Sequence, residues 1–226
     1  EPELREDWGE IEAALADQLP QLVSLRDMRG ELHSHSTWSD GKASIEEMAL
    51  AAEARGYEYL AISDHSQSLG VVGGLTPERL RAQRAEIQAL QARLKRLRLL
   101  QGAEVEIKAD GSLDFPDEVL AELDFVTASV HSGLRQERDT ITGRVVRAMR
   151  HPHVDAIGHP SGRLLLQREE SALDLDAVLR VAAETGTMIE INADPERLDL
   201  DDVHVRRAVD LGVKLVINTD AHHPDH

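Results

Sequence analysis

The 226-residue sequence predicts an α/β fold, a closed or nearly closed (β/α) barrel of about seven parallel strands. Three observations carry this expectation. Short, β-branched, nearly continuous apolar runs alternate with apolar-faced helices, which is how parallel strands buried on both faces read. Glycines recur where a helix ends and a strand begins, at Gly56, Gly186 and Gly212. The strand–helix units follow one another without a long break. An open, doubly wound sheet is the second arrangement that this alternation allows.

Residues 1–25 read as an acidic amphipathic helix outside the repeat, a linker from a preceding domain, with 26–226 as the repeat-bearing domain. The first strand is "GELHSHS" (30–36). Ser44-Ile45-Glu46-Glu47 is a capping box opening the next helix, and a strand follows Gly56 in "YEYLAISDH". Thr76-Pro77 supplies an N-cap and a first-turn proline for a helix over 76–96. Leu80, Ile87, Leu90, Leu94 and Leu97 share one face of it. Arg81, Arg84, Gln88, Lys95 and Arg98 lie away from that face and read as solvated rather than DNA-binding. "LRLLQGAEVEI" (97–107) is the third strand, and Gly111-Ser112 a turn. "FVTASVH" (125–131) and "VDAIGHP" (154–160) are the fourth and fifth. "DLD" (174–176) opens a helix as capping charge. The last two strands follow Gly186 and Gly212. The chain starts at Glu1 and stops at "NTDAHHPDH" directly after a strand, so it reads as an excised domain truncated at its C-terminus.

Composition narrows the function. The formal charge of -17 repels phosphate backbones, so work on nucleic acid would need metals or another domain. The absence of cysteine excludes disulfides and thiolate metal sites. No run approaches the roughly 18 apolar residues of a membrane span, and no signal peptide opens the chain; the expectation is a cytoplasmic protein without membrane contact.

In a (β/α) barrel the active site lies at the strands' C-terminal ends. Those ends carry His33, His35 and Asp40; Asp64 and His65; Glu104 and Glu106; His131; His159; Asn192; and Asp220 and His222. His33 and His35 alternate onto one face and, when neutral, can chelate one cation. Asp220 and His222 repeat that spacing. Spacing does not choose between Glu104 and Glu106. Asp64 and Asn192 read as orienting groups, Ser36 and Ser66 as weaker candidates. His151, His153, His223 and His226 read as incidental. Nitrogen and carboxylate donors without sulfur suit Zn, Mn or Fe, and so many donors imply two or three ions. Such clusters clamp phosphoryl groups and activate water, which points to metal-dependent phosphoester hydrolysis. Arg163, just past a strand end, could hold a phosphate by its fork.

"HSHSTWSDG", "ISDHS", "GAEVEI", "SVHS", "GHPSGRLL" and "NTDAH", in this order, resemble the motifs of the PHP (polymerase and histidinol phosphatase) superfamily over about residues 29–223. "SDHSQSLGVVGGL", "DGSLDFPDEVL" and "EINADPERLDL" are similar to the C-terminal PHP domain of bacterial family X DNA polymerases, and "PELREDWGEIEAA" to the segment joining it to the polymerase part. The resemblance implies a distorted, TIM-like (β/α)7 barrel with three divalent metals, Mn or Zn, with Fe also suited. It implies one ion on His33, His35, Glu104 and Asp220, a second sharing Glu104 with His131 and His159, and a third on Asp40, His65 and His222. It thereby selects Glu104 over Glu106. His33, His35, Glu104, His131 and Arg163 are the expected catalytic residues. The implied activity is a 3′–5′ exonuclease acting on DNA 3′ ends in repair, in some members a 3′-phosphatase or abasic-site endonuclease, with a polymerase domain as partner. The rival expectations are a small-molecule phosphatase of the histidinol-phosphate kind and a non-catalytic, metal-stabilised scaffold.

Overall fold

The computed structural model describes residues 9–226. Its regular elements are α1 (Glu10–Leu15), β1 (Gly30–Ser34), α2 (Ile45–Ala54), β2 (Tyr59–Ile62), α3 (Pro77–Gln91), β3 (Arg98–Glu106), α4 (Asp117–Leu120), β4 (Phe125–Ser129), α5 (Arg138–Met149), β5 (Ala156–Ile157), α6 (Leu175–Thr185), β6 (Met188–Asn192), α7 (Asp202–Asp210) and β7 (Leu215–Asn218). The strands form one parallel sheet in the order β1-β2-β3-β4-β5-β6-β7. A doubly wound sheet reverses its strand order partway. This one never does, so the open-sheet alternative falls.

The barrel closes at its mouth rather than along its whole seam. Past the end of β7, Ala221 pairs in parallel with Ser34, and His35 N–H donates to the Ala221 carbonyl at 2.8 Å. Below that, side chains span the gap. Leu32 N–H donates to Asn218 Oδ1 at 3.1 Å, and Thr219 donates to Glu31 Oε2 through its amide at 3.0 Å and its hydroxyl at 2.9 Å. Burial pushes the Glu31 carboxyl up to about 7, against the bonds from His33 N–H and Thr219 that favour its charge.

Strand alternation separates core from site. Ala103, Val105 and Ile107 of the β3 segment join Val126 and Ala128 of β4, Ile157 and Ile189 in an apolar cluster packed under α5 and α6. A smaller cluster joins Leu60, Ile62 and Leu99 to Ile45, Met48 and Ala49 of α2 and to Ile87 and Leu90 of α3. The residues between those positions, Glu104, Glu106, Thr127, Ser129, Glu190 and Asn192, are buried and polar. The period of two thus turns one face of each strand to the helices and the other to polar company.

The local signals largely hold. Ser44 and Glu47 form the reciprocal capping box, Thr76 caps α3, and Asp174 caps α6 by accepting from Ala177 N–H at 3.0 Å. Gly186 takes φ +77° at the end of α6, where a Cβ would be strained. Three expectations change. Residues 1–8 of the expected N-terminal helix lie outside the described residues, and beyond them helix covers only Glu10–Leu15. Asp17 takes φ 56° and Pro20 follows, which prevents continuation. Helix α3 stops at Gln91 instead of 96, because the Gln91 side chain bonds the Leu97 carbonyl and the Leu99 amide and turns the chain into β3. β5 keeps two residues, because His159 takes φ 26° and leaves the extended conformation.

Candidate metal centre

Glu104, fully buried on β3, is the hub of the barrel mouth. Its Oε2 lies 2.9 Å from His65 Nδ1, 3.3 Å from His33 Nε2 and 3.6 Å from His35 Nε2. Its Oε1 lies 2.8 Å from His159 Nε2 and 3.1 Å from His131 Nε2. Asp220 Oδ1 adds a contact of 2.9 Å to His35 Nε2, and Asp40 Oδ1 reaches His222 Nε2 at 3.3 Å and His65 Nε2 at 3.6 Å. All nine residues expected as ligands therefore meet in one cluster.

Three groups have donor atoms close enough to share an ion: His33, His35, Glu104 and Asp220; His35, Asp40, His65 and His222; and His65, Glu104 and His131. The first is the quartet implied by the resemblance. The second is the implied triad with His35 added. In the third, His65 stands where His159 was expected, although His159 and His131 share the same Glu104 oxygen.

Backbone and polar partners fix the donor rings. His33 Nδ1 faces Glu190 Oε1 at 2.7 Å, His131 Nδ1 faces Glu106 Oε2 at 2.8 Å, and His222 Nδ1 faces the Asp220 carbonyl at 2.7 Å. Each contact commits Nδ1 and leaves Nε2 turned to the cluster, the usual support of a metal-binding imidazole. Glu106 is thus a bracing group and Glu104 the central one. Asp64 behaves as an orienting residue: it accepts from Ser36 N–H at 2.8 Å, Ser36 Oγ–H at 2.6 Å and Gln83 Nε2–H at 2.6 Å, holding the loop after His35. Asn192 donates to Asp220 Oδ2 at 3.2 Å.

Among the described residues, His33 Nε2, His35 Nδ1, His65 Nδ1, Glu104 Oε2 and His159 Nδ1 are buried and make no aligned hydrogen bond, the close approaches of His33 and His65 to Glu104 Oε2 being contacts without hydrogen-bond geometry. Orphaned buried polar atoms are costly and rare, so the three that meet at the hub, His33 Nε2, His65 Nδ1 and Glu104 Oε2, fit bound cations. The rings of His35 and His65 stack at 4.5 Å and those of His35 and His222 at 4.2 Å, which suits neutral, ion-bound imidazoles. Burial opposes charge throughout, but in most cases the neighbours prevail. Glu104 and Asp40 outweigh it and lift His65 to about 10; Glu104 and Glu106 lift His131 to about 9. The histidines, in turn, overcome burial and hold Glu104, Asp220 and Asp40 below the usual carboxylate range. At His35 burial wins, helped by the charge of His65, and its pKa falls. The cluster demands positive charge, as protons or as cations.

One expected residue is placed elsewhere. Arg163 does not offer its fork to the cluster. Its Nε–H donates to the Arg197 carbonyl at 2.9 Å, its Nη2 to the Leu198 carbonyl, and Glu170 stands 3.5 Å from its Nη1. Those acceptors occupy the guanidinium, so it holds the β6–α7 loop instead of a phosphate. Among the described residues an arginine does reach the site: Arg197, whose Nε lies 3.5 Å from Asp220 Oδ2 and whose buried Nη1 makes no hydrogen bond. The sequence reading stopped at the strand ends and so missed Arg197, five residues past Asn192. It also missed Glu190, whose signal was a charge inside the apolar strand "MIEIN".

The chain is similar to known proteins over most of its length. The PHP domain signature matches residues 31–194. The DNA polymerase/3′-5′ exonuclease PolX of Bacillus subtilis (strain 168) is 48% identical over 98% of this chain, which covers 38% of that protein's length. A "Probable phosphatase" of Thermoanaerobacter sp. (strain X514) is 29% identical over 85% of this chain and 78% of its own. Among solved structures, HisK of Listeria monocytogenes superposes with a TM-score of 0.71 at 14% identity, covering 87% of this chain and 96% of that one. Histidinol phosphate phosphatase of Lactococcus lactis, complexed with Zn, L-histidinol and phosphate, gives 0.62 at 17%, covering 88% of each chain. At those identities the superpositions show a shared fold. Because the signature spans most of the sequence, this chain belongs to the PHP domain family.

Proposed function

We propose that the chain is a metal-dependent phosphoesterase whose substrate is the 3′ end of DNA, a 3′–5′ exonuclease domain working beside a polymerase domain in repair. The observation that carries the hydrolytic reading is the buried hub at Glu104, with five histidine nitrogens within 3.6 Å, two of which, His33 Nε2 and His65 Nδ1, make no hydrogen bond. Three divalent ions are assigned as the resemblance implies: His33, His35, Glu104 and Asp220 for one, Glu104, His131 and His159 for another, and Asp40, His65 and His222 for the third; two of these sets are supported by donor atoms that lie close enough to share an ion. Mn or Zn suits these ligands, and Fe as well. Bound there, divalent ions supply charge neutralisation and water activation for phosphoester hydrolysis. The chain's own residues do the rest. Glu190 and Glu106 orient His33 and His131, and Asp64 holds the loop that carries Asp40. Arg197, with Nε 3.5 Å from Asp220 Oδ2, would supply positive charge to a phosphate bound beside Asp220.

Likeness to the Bacillus PolX over nearly the whole chain supports DNA as substrate, a polymerase domain as partner and a cytoplasmic setting; no helix among the described residues is long and apolar enough to cross a membrane. Residues 1–25 then form the join to the polymerase part, and 26–226 the PHP domain. A second reading, hydrolysis of small phosphomonoesters, is favoured by the -17 charge and by the relatives named as phosphatases. The deciding experiment incubates the protein and Mn²⁺ with 5′-labelled single-stranded DNA, and with histidinol phosphate in parallel, using His33→Ala/His35→Ala as control. A ladder shortening from the 3′ end and absent in the control supports the exonuclease. Phosphate released from the small ester without a ladder selects the second reading. Neither activity from a metal-loaded protein leaves the scaffold.

A further inference from the structure

Two clustered histidines are braced by buried carboxylates, and the braces differ in kind. Behind His33, Glu190 accepts from neutral donors: His159 N–H at 2.6 Å, Asn218 Nδ2–H at 2.9 Å and Asn192 Nδ2–H at 3.4 Å. Behind His131, Glu106 faces a cation. Arg144 of α5 places Nη2 3.2 Å from Glu106 Oε1, with the side chains 1% and 4% exposed. The same guanidinium donates through Nε to the Ile107 carbonyl at 3.0 Å and through Nη1 to the Ser132 carbonyl at 2.7 Å and Gln136 Oε1 at 3.2 Å. Ser132 adds its own hydroxyl to Glu106 Oε1 at 2.7 Å, and His131 N–H donates to Oε2 at 3.0 Å.

A buried ion pair seldom stabilises a fold more than an apolar residue of the same volume would. Packing alone therefore gives little reason for an arginine here, one layer behind a donor of the cluster. We propose that Arg144 is a positioning residue for the metal centre. It pins Glu106, which aligns the His131 ring and keeps Nε2 as the free donor. An ion held by Glu104, His131 and His159 thus depends on α5, whereas one held by His33, His35 and Asp220 does not. This inference rests on the metal reading above.

The test counts ions and needs no substrate. Wild-type protein, Arg144→Met, Glu106→Gln and the double variant are loaded with Mn²⁺ or Zn²⁺, dialysed, and assayed for metal content and for affinity against a chromophoric chelator. Arg144→Met is expected to weaken one ion by about 10–100-fold and leave the others in place. The double variant should lose no more than the worse single one, because Arg144 acts through Glu106. Glu106→Gln leaves the carbonyl bonds of Arg144 intact, so it makes the same prediction if Arg144→Met proves too unstable to assay. Retention of every ion at unchanged affinity in either single variant overturns the inference and leaves the metal reading standing. So do additive losses in the double variant. A wild-type chain that binds no divalent ion overturns both.

Discussion

The two ends of the donor cluster differ in depth. At the inner end, His33, His35, Glu104 and Asp220 are all buried, and their neighbours are protein groups. At the rim, the side chains of Asp40 and His222 remain 25% and 30% exposed. The donors are the same in type, so the difference lies in solvent. An ion at the inner end would be enclosed and slow to leave; one at the rim would keep open positions for water and substrate. Loaded at both ends, the site would combine an enclosed charge with an exchangeable one, without any change of ligand chemistry.

The sharpest way to break that comparison is to remove one histidine from each end. His33→Ala strips the inner quartet and removes the imidazole that faces Glu190. Activity is expected to fall on the order of 10³-fold or more, the loss of the several kcal/mol that a metal supplies. His222→Ala should release one ion and leave the inner ones bound. Metal content after dialysis separates the two, and equal ion loss in both variants would mean that the ends are not distinct. Next in size is Arg197→Met. Removing the guanidinium that stands beside Asp220 should cost about 10²–10³-fold in turnover, the effect of deleting a preorganised donor to the reacting group. Metal content should stay unchanged. A loss of ions instead of turnover would make Arg197 a brace for Asp220.

How far this site could be read from sequence depended on backbone conformation. His33 and His35 were legible because they continue a strand, where alternate residues share a face. Asp220 and His222 have the same spacing, but Asp220 takes φ 53° past the end of β7. The two donors remain neighbours, 3.8 Å apart, but His222 groups with Asp40 at the rim while Asp220 joins the inner quartet. The barrel itself was legible from the glycine-terminated helices and apolar strands, although the side-chain closure through Glu31 and Asn218 was not. The bracing residues were the hardest to see. Glu190 and Arg144 sit inside regular elements, and nothing in local spacing shows that a helix arginine 38 residues after Glu106 returns to meet it.

Proton competition offers a milder probe of the whole cluster. His65 and His131, lifted to about 10 and about 9, carry protons at neutral pH when no cation is bound. Ions must displace those protons, so metal affinity should rise with pH up to about 9–10, by as much as roughly tenfold per unit for each proton released. The metal-free protein should respond in the opposite sense. Folded-state values above the unfolded 6.5 give a stabilisation that is full below pH 6.5 and lost as pH rises through about 9–10. Calorimetric titration in buffers of different ionisation enthalpy counts the released protons, and melting curves of both forms give the stability. Parallel falls in the two forms above pH 7 would mean that the histidines are not held protonated in the absence of metal.

The smallest effect is expected at Arg163, and it tests the reassignment of that residue. With Nε–H on the Arg197 carbonyl and Nη2 on the Leu198 carbonyl, its fork is committed to the loop that presents Arg197. Arg163→Ala should therefore act on stability, by about 1–2 kcal/mol for the lost bonds, or roughly 2–8 °C in melting temperature for a chain of this size. KM for a substrate with a single phosphate should hardly move, because no donor facing the phosphate has been removed. A KM raised tenfold at an unchanged melting temperature would show that the guanidinium leaves its carbonyls for the substrate. The mouth would then hold two phosphate-binding arginines, Arg163 and the Arg197 that stands beside Asp220.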